Sequence, residues 1–267
     1  MTREALEHAI AEQPEDRSVR LIYADWLEEH SDDPADLARA EFIRLQIHLE
    51  RLPPDTPADQ VERLRERERE ILKSYTKKWA KPLGRLASKP IFRAGFIEHV
   101  QTGASRFARR GKKLLDALPT ITSVYFREAS NEIDELLASN LLPRLRRIDL
   151  QYMCTCGFCP IQDEIRHLVQ SPQMAGITHL NLSGNRLTLL DLLEMAKSPH
   201  LRSLRYLNLS YNPLGASGRV RLVRLLLEAP WLEQLEELQL LEVGLSRQAQ
   251  ELLERRLPGR VVVSAQS

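Results

Sequence analysis

The tightest group of potential metal ligands in this sequence is Cys154-Thr155-Cys156-Gly157-Phe158-Cys159. Cys154, Cys156 and Cys159 supply three thiolates that can hold zinc, with His167 as a fourth ligand. The C-x-C-x-x-C spacing is crowded, and the chain has no second separated pair of the kind structural zinc takes. The expectation is an insertion loop with reduced cysteines and no cofactor, with zinc as the alternative. A second group is basic: Arg106, Arg109, Arg110, Lys112 and Lys113, with Lys73, Lys77, Lys78 and Lys81 upstream. Such a stretch can follow a phosphate backbone. Gly111-Lys112-Lys113 lacks the G-x-x-x-x-G-K-[ST] spacing and the hydroxyl that holds magnesium. No H-E-x-x-H, G-x-S-x-G or G-x-G-x-x-G motif is present. Asp25 and Arg44 read as an ion pair or cap between helices. No catalytic residue, and no enzyme, is expected.

These groups need a scaffold, and composition bounds it. The chain has 267 residues, of which 43% are hydrophobic and 28% charged, with a formal net charge of +1. That suffices for a core in one or two domains and gives no global electrostatic case for nucleic acid or membrane. No apolar run approaches the ~20 residues of a spanning helix. Met1-Thr2-Arg3-Glu4 leads into a charged amphipathic pattern without an apolar signal region, so a soluble, cytoplasmic protein is expected. The charge is uneven. Residues 1–60 carry 6 basic and 15 acidic side chains, and residues 61–115 carry 16 and 5. Either the acidic segment folds against its basic neighbour, which is favoured by the near-zero total, or the basic stretch is a binding surface.

Internal repetition is the strongest signal. The pattern L-x-x-L-x-L recurs at Ile97-Val100-Thr102, Ile121-Val124-Phe126, Leu145-Ile148-Leu150, Ile177-Leu180-Leu182, Leu204-Leu207-Leu209 and Leu235-Leu238-Leu240. A second marker is phased with it: Pro90, Pro119, Pro143, Pro172, Pro199 and Pro230 each close an apolar stretch before a copy, and Pro258 precedes Val261-Val262-Val263. Between the two the periodicity becomes helical, as in Leu189, Leu190, Leu193 and Ala196. Proline cannot continue a helix and pushes its predecessor towards extended geometry. Each unit reads as strand, turn, helix, proline stop. Burying one aliphatic side chain contributes roughly 1.5–3 kcal/mol before entropy, and one unit cannot bury its own leucine face without neighbours.

Two copies extend to an Asn and a further Leu, Asn185 with Leu187 and Asn212 with Leu214. This long pattern resembles the leucine-rich repeat family, in its helix-containing, ribonuclease-inhibitor-like form, over roughly residues 91–263. The resemblance implies a solenoid with a parallel sheet inside and helices outside. It also implies that Asn185 and Asn212 bind backbone groups of their turns. Met153, Val243, Ala129 and Ser105 take that position elsewhere, so those turns should be less regular. Side chains alternating with the buried leucines would point to the concave face. Tyr125, Arg127, Arg147, Asp149, His179, Asn181, Tyr206 and Asn208 are the candidate contact residues there, since interfaces favour Tyr and Arg anchors.

The N-terminal residues are patterned as helices. Ala5, Leu6, Ala9 and Ile10 form a short apolar face before Pro14. Val19, Ile22, Tyr23, Trp26 and Leu27 form a second, with Asp16 as N-cap. A third carries Leu37, Phe42, Leu45 and Leu49, and a fourth spans 59–79. Arg20-Leu21-Ile22-Tyr23-Ala24-Asp25-Trp26-Leu27-Glu28-Glu29 with Glu41-Phe42-Ile43-Arg44-Leu45-Gln46 resembles the bacterial repeat-companion domain, over about residues 2–50. Ala40 stands where that family usually has Gly. Residues 80–96, with Leu83, Leu86, Ile91, Phe92 and Phe96, would form the apolar seam of an N-terminal cap.

The expected architecture is therefore α/β: an all-α companion domain and cap over 1–90, then a leucine-rich repeat solenoid over 91–267. The expected function is a non-enzymatic scaffold, favoured as a monomer, that binds a protein partner on its concave face. The alternative is a nucleic-acid-binding or regulatory module using residues 73–113.

Overall fold

A computed structural model describes residues 2–153, 161–214 and 219–263, without the side chains of 161–162 and 219–221. The chain is an α/β protein that divides into two units, Met1–Val100 with Lys113–Ile121 and Gln101–Lys112 with Thr122–Ser267. The domain boundary expected at 90–91 falls inside the first strand.

The first unit begins with α1 (Arg3–Glu12), α2 (Arg17–His30), α3 (Pro34–Glu50) and α4 (Ala58–Trp79). Short polar caps start three of them. Thr2 accepts from the N–H of Ala5, Asp16 from Ser18 and Asp33 from Ala35. Then β1 (Ser88–Arg93) turns through Ala94–Gly95 into β2 (Phe96–Gly103). Both turn residues are left-handed, with φ of +43° and +85°, the two-residue form that matches strand twist. A side chain at Gly95 would start 2.0 Å from Ile43 Cγ1, so helix and turn meet only through glycine.

The core of this unit joins Leu6, Ile10, Tyr23, Leu27, Ile43 and Ile47 to Ala94 and Phe96. The helical faces are turned relative to the apolar pattern. On α2 the buried residues are Arg20, Tyr23, Ala24 and Leu27, while Ile22 is 47% exposed. On α3 they include Phe42, Ile43, Gln46 and Ile47, in place of Leu45 and Leu49. The hairpin supplies polar acceptors that these polar residues require. Arg20 donates to the carbonyls of Pro14 and Arg93 at 2.7 and 2.6 Å and to Glu98 at 2.5 Å. Gln46 donates to Phe92 O and accepts from Gly95 N–H. Ile91, expected in the apolar seam, is 59% exposed because alternation along β1 turns Phe92 inward instead.

The acidic and basic stretches meet within this unit. Arg67 pairs with Glu41 at 2.6 Å, Lys78 with Asp33 at 2.7 Å and Arg93 with Glu50 at 3.2 Å. Asp25 and Arg44 form an exposed helix–helix ion pair at 2.6 Å, shared with Glu28.

The second unit alternates strands and helices. The strands are β3 (Ser123–Arg127), β4 (Arg147–Asp149), β5 (His179–Asn181), β6 (Tyr206–Asn208), β7 (Glu237–Leu240) and β8 (Val261–Val263), parallel and in chain order. The helices are α5 (Ala104–Ala117), which ends in the first unit, α6 (Ile133–Ala138), α7 (Ile161–Gln170), α8 (Leu189–Lys197), α9 (Arg219–Glu228) and α10 (Arg247–Arg256). The aliphatic triplets are buried: Leu145, Ile148 and Leu150, or Leu204, Leu207 and Leu209, are at most 2% exposed. Phe107 of α5 packs edge-on against Phe126. Gly111 lies inside the same helix, where a Cβ would meet Leu141 at 2.9 Å, so Gly111-Lys112-Lys113 is helix and not a phosphate loop.

Candidate protein-binding face

The register of the parallel strands places the candidate residues in rows. One row is Ser123, Arg147, His179, Tyr206 and Glu237. The next is Tyr125, Asp149, Asn181, Asn208, Gln239 and Val262. All are half-buried save Val262, which is exposed, and they alternate with the buried aliphatics. Arg127 ends β3, exposed. The structure thus brings together the eight residues read from the sequence, each on the sheet face away from the leucine core.

Asp149, Asn181 and Asn208 are partly committed to local structure. Each side-chain oxygen accepts the N–H two residues on, from Gln151, Ser183 and Ser210, at 2.9, 3.0 and 2.9 Å. This is the self-bonding habit of Asx side chains, and it holds the strand ends. The aromatic centre is His179 stacked on Tyr206, with ring centroids 4.0 Å apart and planes 23° apart. Tyr206 donates its hydroxyl to Glu236 at 2.7 Å, and that bond raises its pKa above the usual tyrosine value. Tyr125 is raised as well, by partial burial first and by the Asp149 charge second. Both phenols stay protonated donors at neutral pH. Charges of both signs stand at each end of the face: Arg127, Arg147 and Asp149 at β3–β4, and Glu237 at β7 with Glu236, which pairs with Arg205 at 4.0 Å. The sheet offers two ring faces, amides and hydroxyls.

Cys154, Cys156 and Cys159 lie outside the described residues. His167 is exposed on the outer side of α7, where Nδ1 lies 2.8 Å from Asp134 Oδ1. Among the described residues no group of three metal-ligating side chains gathers, and no helix is long and apolar enough to cross a membrane. On α5, Arg106, Arg109, Arg110, Lys112 and Lys113 are exposed, and Arg109 reaches Glu135 at 3.6 Å.

Two aromatics escaped the sequence reading. Tyr152 and Tyr211 follow the outward rows, each 51% exposed. Aligning the copies on their Asn position would have shown them, since Tyr211 directly precedes Asn212 and Tyr152 precedes Met153 at the same place.

The turns behind these rows are held by asparagine. Asn185 is fully buried, accepts from Met153 N–H and donates to Leu150 O, both at 2.8 Å. Asn212 donates to Leu182 O and Leu209 O at 3.0 and 2.9 Å. Each side chain ties its own turn to the preceding unit, so the turn at Met153 is capped although it has no Asn. The left-handed residue before the Asn position is retained at Glu128, Tyr152 and Glu242, so these turns are as regular in that respect as their Asn-bearing neighbours; before Ser105 it is lost, because α5 already starts at Ala104.

Comparison with known families agrees with this geometry. A family model described as Leucine Rich Repeat matches residues 176–197, and one described as Leucine Rich repeat matches residues 200–223. No curated protein matches the chain. The matched stretches contain the two units that keep the buried Asn. The chain therefore carries a leucine-rich repeat region within residues 176–223.

Proposed function

We propose that this protein is a non-enzymatic scaffold that binds a protein segment on the outward rows of β3–β7, the concave face of a short leucine-rich repeat solenoid of the helix-containing type. The observation that carries the reading is the stacked His179–Tyr206 pair, set among amides in register. Rigid aromatic groups give contact area at low entropic cost and act as interface anchors. The helices of residues 2–50 are read here as a repeat-companion domain, on the strength of the Arg20–Glu29 and Glu41–Gln46 motifs.

The test is affinity capture from the native cell by the full chain and by a Tyr125→Ala/Tyr206→Ala variant. Loss of a specific partner from the variant supports the reading. Equal recovery by both places the contact surface elsewhere. The second reading, a nucleic-acid module using 73–113, is favoured by the exposed cations of α5, against which stand the ion pairs of Lys78 and Arg93. Phosphate binding falls steeply with salt, whereas an aromatic and amide interface does not.

A further inference from the structure

The strand order ends at β8, and among the described residues nothing pairs with its outer edge. Leu238 stands opposite Val261, and its N–H donates to Arg260 O at 2.8 Å. In a parallel ladder this register turns the peptide groups of Arg260 and Val262 towards β7, and those of Val261 and Val263 towards the open side. The edge also lacks the usual guards. β8 is three valines, whereas β1 of the first unit carries Lys89 and Pro90. Val262 is 40% exposed and ends an outward row that is otherwise polar. On the other side of the strand, Val261 and Val263 continue the core positions of Leu238 and Leu240. They open into a cavity of about 500 Å³ lined across from them by Glu251, Glu254 and Arg255 of α10. Arg255 is exposed there and makes no hydrogen bond or ion pair among the described residues.

We propose that this edge is a self-association surface, to which a second copy of the chain adds its own β8 in antiparallel sense. The edge is its own complement. A two-fold axis through Val262, perpendicular to the sheet, sets Val261 opposite the partner's Val263 and Val263 opposite the partner's Val261. These are the positions whose peptide groups face the open side, so each pair exchanges two backbone hydrogen bonds. Val262 meets the partner's Val262 at the close, non-hydrogen-bonded position, with Cα atoms about 4.5 Å apart, one β-branched side chain against another. The same axis runs α10 antiparallel to its copy. Glu251 and Arg255 lie one turn apart on the exposed end of the unit, so each Glu251 faces the partner's Arg255. A surface of one sign would repel itself under this symmetry, whereas one with both signs at i and i+4 pairs with itself. One occupant thus satisfies the open peptide groups, the unpaired cation and the uncovered valines together. It joins the outward rows of two copies into one sheet face, in place of the monomer expected from the sequence.

The test is sedimentation velocity of the full chain from about 1 to about 300 μM. A monomer–dimer equilibrium in the micromolar range is expected, since a contact of one short strand and one helix lies at the small end of specific interfaces. Val262→Lys sets two cations against each other on the axis and should weaken association about tenfold or more. Arg255→Glu should weaken it about fivefold, and adding Glu251→Arg to the same chain should restore it, because the exchanged charges meet again across the axis. Circular dichroism should be unchanged in these variants. Val262→Cys under mild oxidation should give a covalent dimer in which mass spectrometry finds the two introduced thiols joined, the Cα separation being that of a disulfide. Gln239→Cys, one strand inward on the same row, should not cross-link. A chain that stays monomeric to about 300 μM, a dimer indifferent to Val262→Lys, or equal cross-linking at positions 239 and 262 overturns the proposal. So does association that appears only after residues 264–267 are removed, since that tail would then hold the edge itself.

Discussion

The side-chain oxygen of Asn212 accepts the backbone N–H of Asn185 and that of Leu187, each at 2.9 Å. One buried carboxamide thus satisfies donors in the preceding unit, while its nitrogen binds the carbonyls of Leu182, Leu209 and Ser210. Removing it strands several buried polar groups at once, and each costs about 1–3 kcal/mol. Asn212→Ala should lower stability by about 3–5 kcal/mol in urea unfolding. Asn181→Ala, whose bond from the Ser183 N–H serves its own strand end, should cost about 1 kcal/mol or less. Equal losses would show that the ladder is not what holds the turns.

Arg20 and Glu98 form a buried pair reaching from α2 to β2. Deleting one partner leaves an uncompensated charge in the core, at about 3–5 kcal/mol, while apolar replacement of both is often nearly neutral. Arg20→Met and Glu98→Leu should each be strongly destabilising. The double variant should cost less than the sum of the two by about 2 kcal/mol or more in a double-mutant cycle. Strict additivity would mean that the carbonyls of Pro14 and Arg93, and not Glu98, hold Arg20.

Tyr23 is buried and donates to Glu7 at 2.7 Å. Burial first, and that bond second, hold its pKa well above the ordinary value of 10.0. The unfolded phenol ionises near 10 while the folded one keeps its proton. The contribution is therefore present below pH 10 and is lost as pH rises towards the folded value, by about 1.4 kcal/mol per pH unit. Tyr23→Phe should flatten the fall in stability between about pH 10 and pH 11 by that amount. Denaturant melts at pH 9, 10 and 11 would read it, and an unchanged slope would contradict the assignment.

Gly184 combines a φ of +67° with a Tyr152 ring in the place of its missing Cβ. Gly184→Ala should destabilise by about 1–3 kcal/mol, from the left-handed backbone and from displacement of the ring. Adding Tyr152→Ala should return part of that loss, since it removes the collision and leaves the backbone term. Thermal melts of the single and double variants check this, and no recovery would assign the cost to backbone alone.

The strands were legible because their signal is local. Leucine triplets, proline stops and period-two alternation need only neighbouring residues, and they placed Tyr125, Arg147, His179 and Tyr206 on a common face. The α2 face was misjudged by one position for a different reason. Counting apolar residues selects Ile22 and Trp26, whereas the core takes Arg20 and Ala24. A guanidinium is buried only where acceptors are waiting, and those acceptors come from Arg93 and Glu98, more than seventy residues away.

The same division holds for the candidate site. Sequence by itself determined the alternation of strand and helix, the buried triplets and the row to which each outward side chain belongs, since each follows from short-range periodicity; the asparagine turns came from the family resemblance. Tertiary structure alone decided that His179 stacks on Tyr206, that Glu236 holds the Tyr206 hydroxyl, and that Tyr152 lies across Gly184. Those are contacts across units or through side-chain rotamers, where angles and ångströms, and not residue order, select the partner.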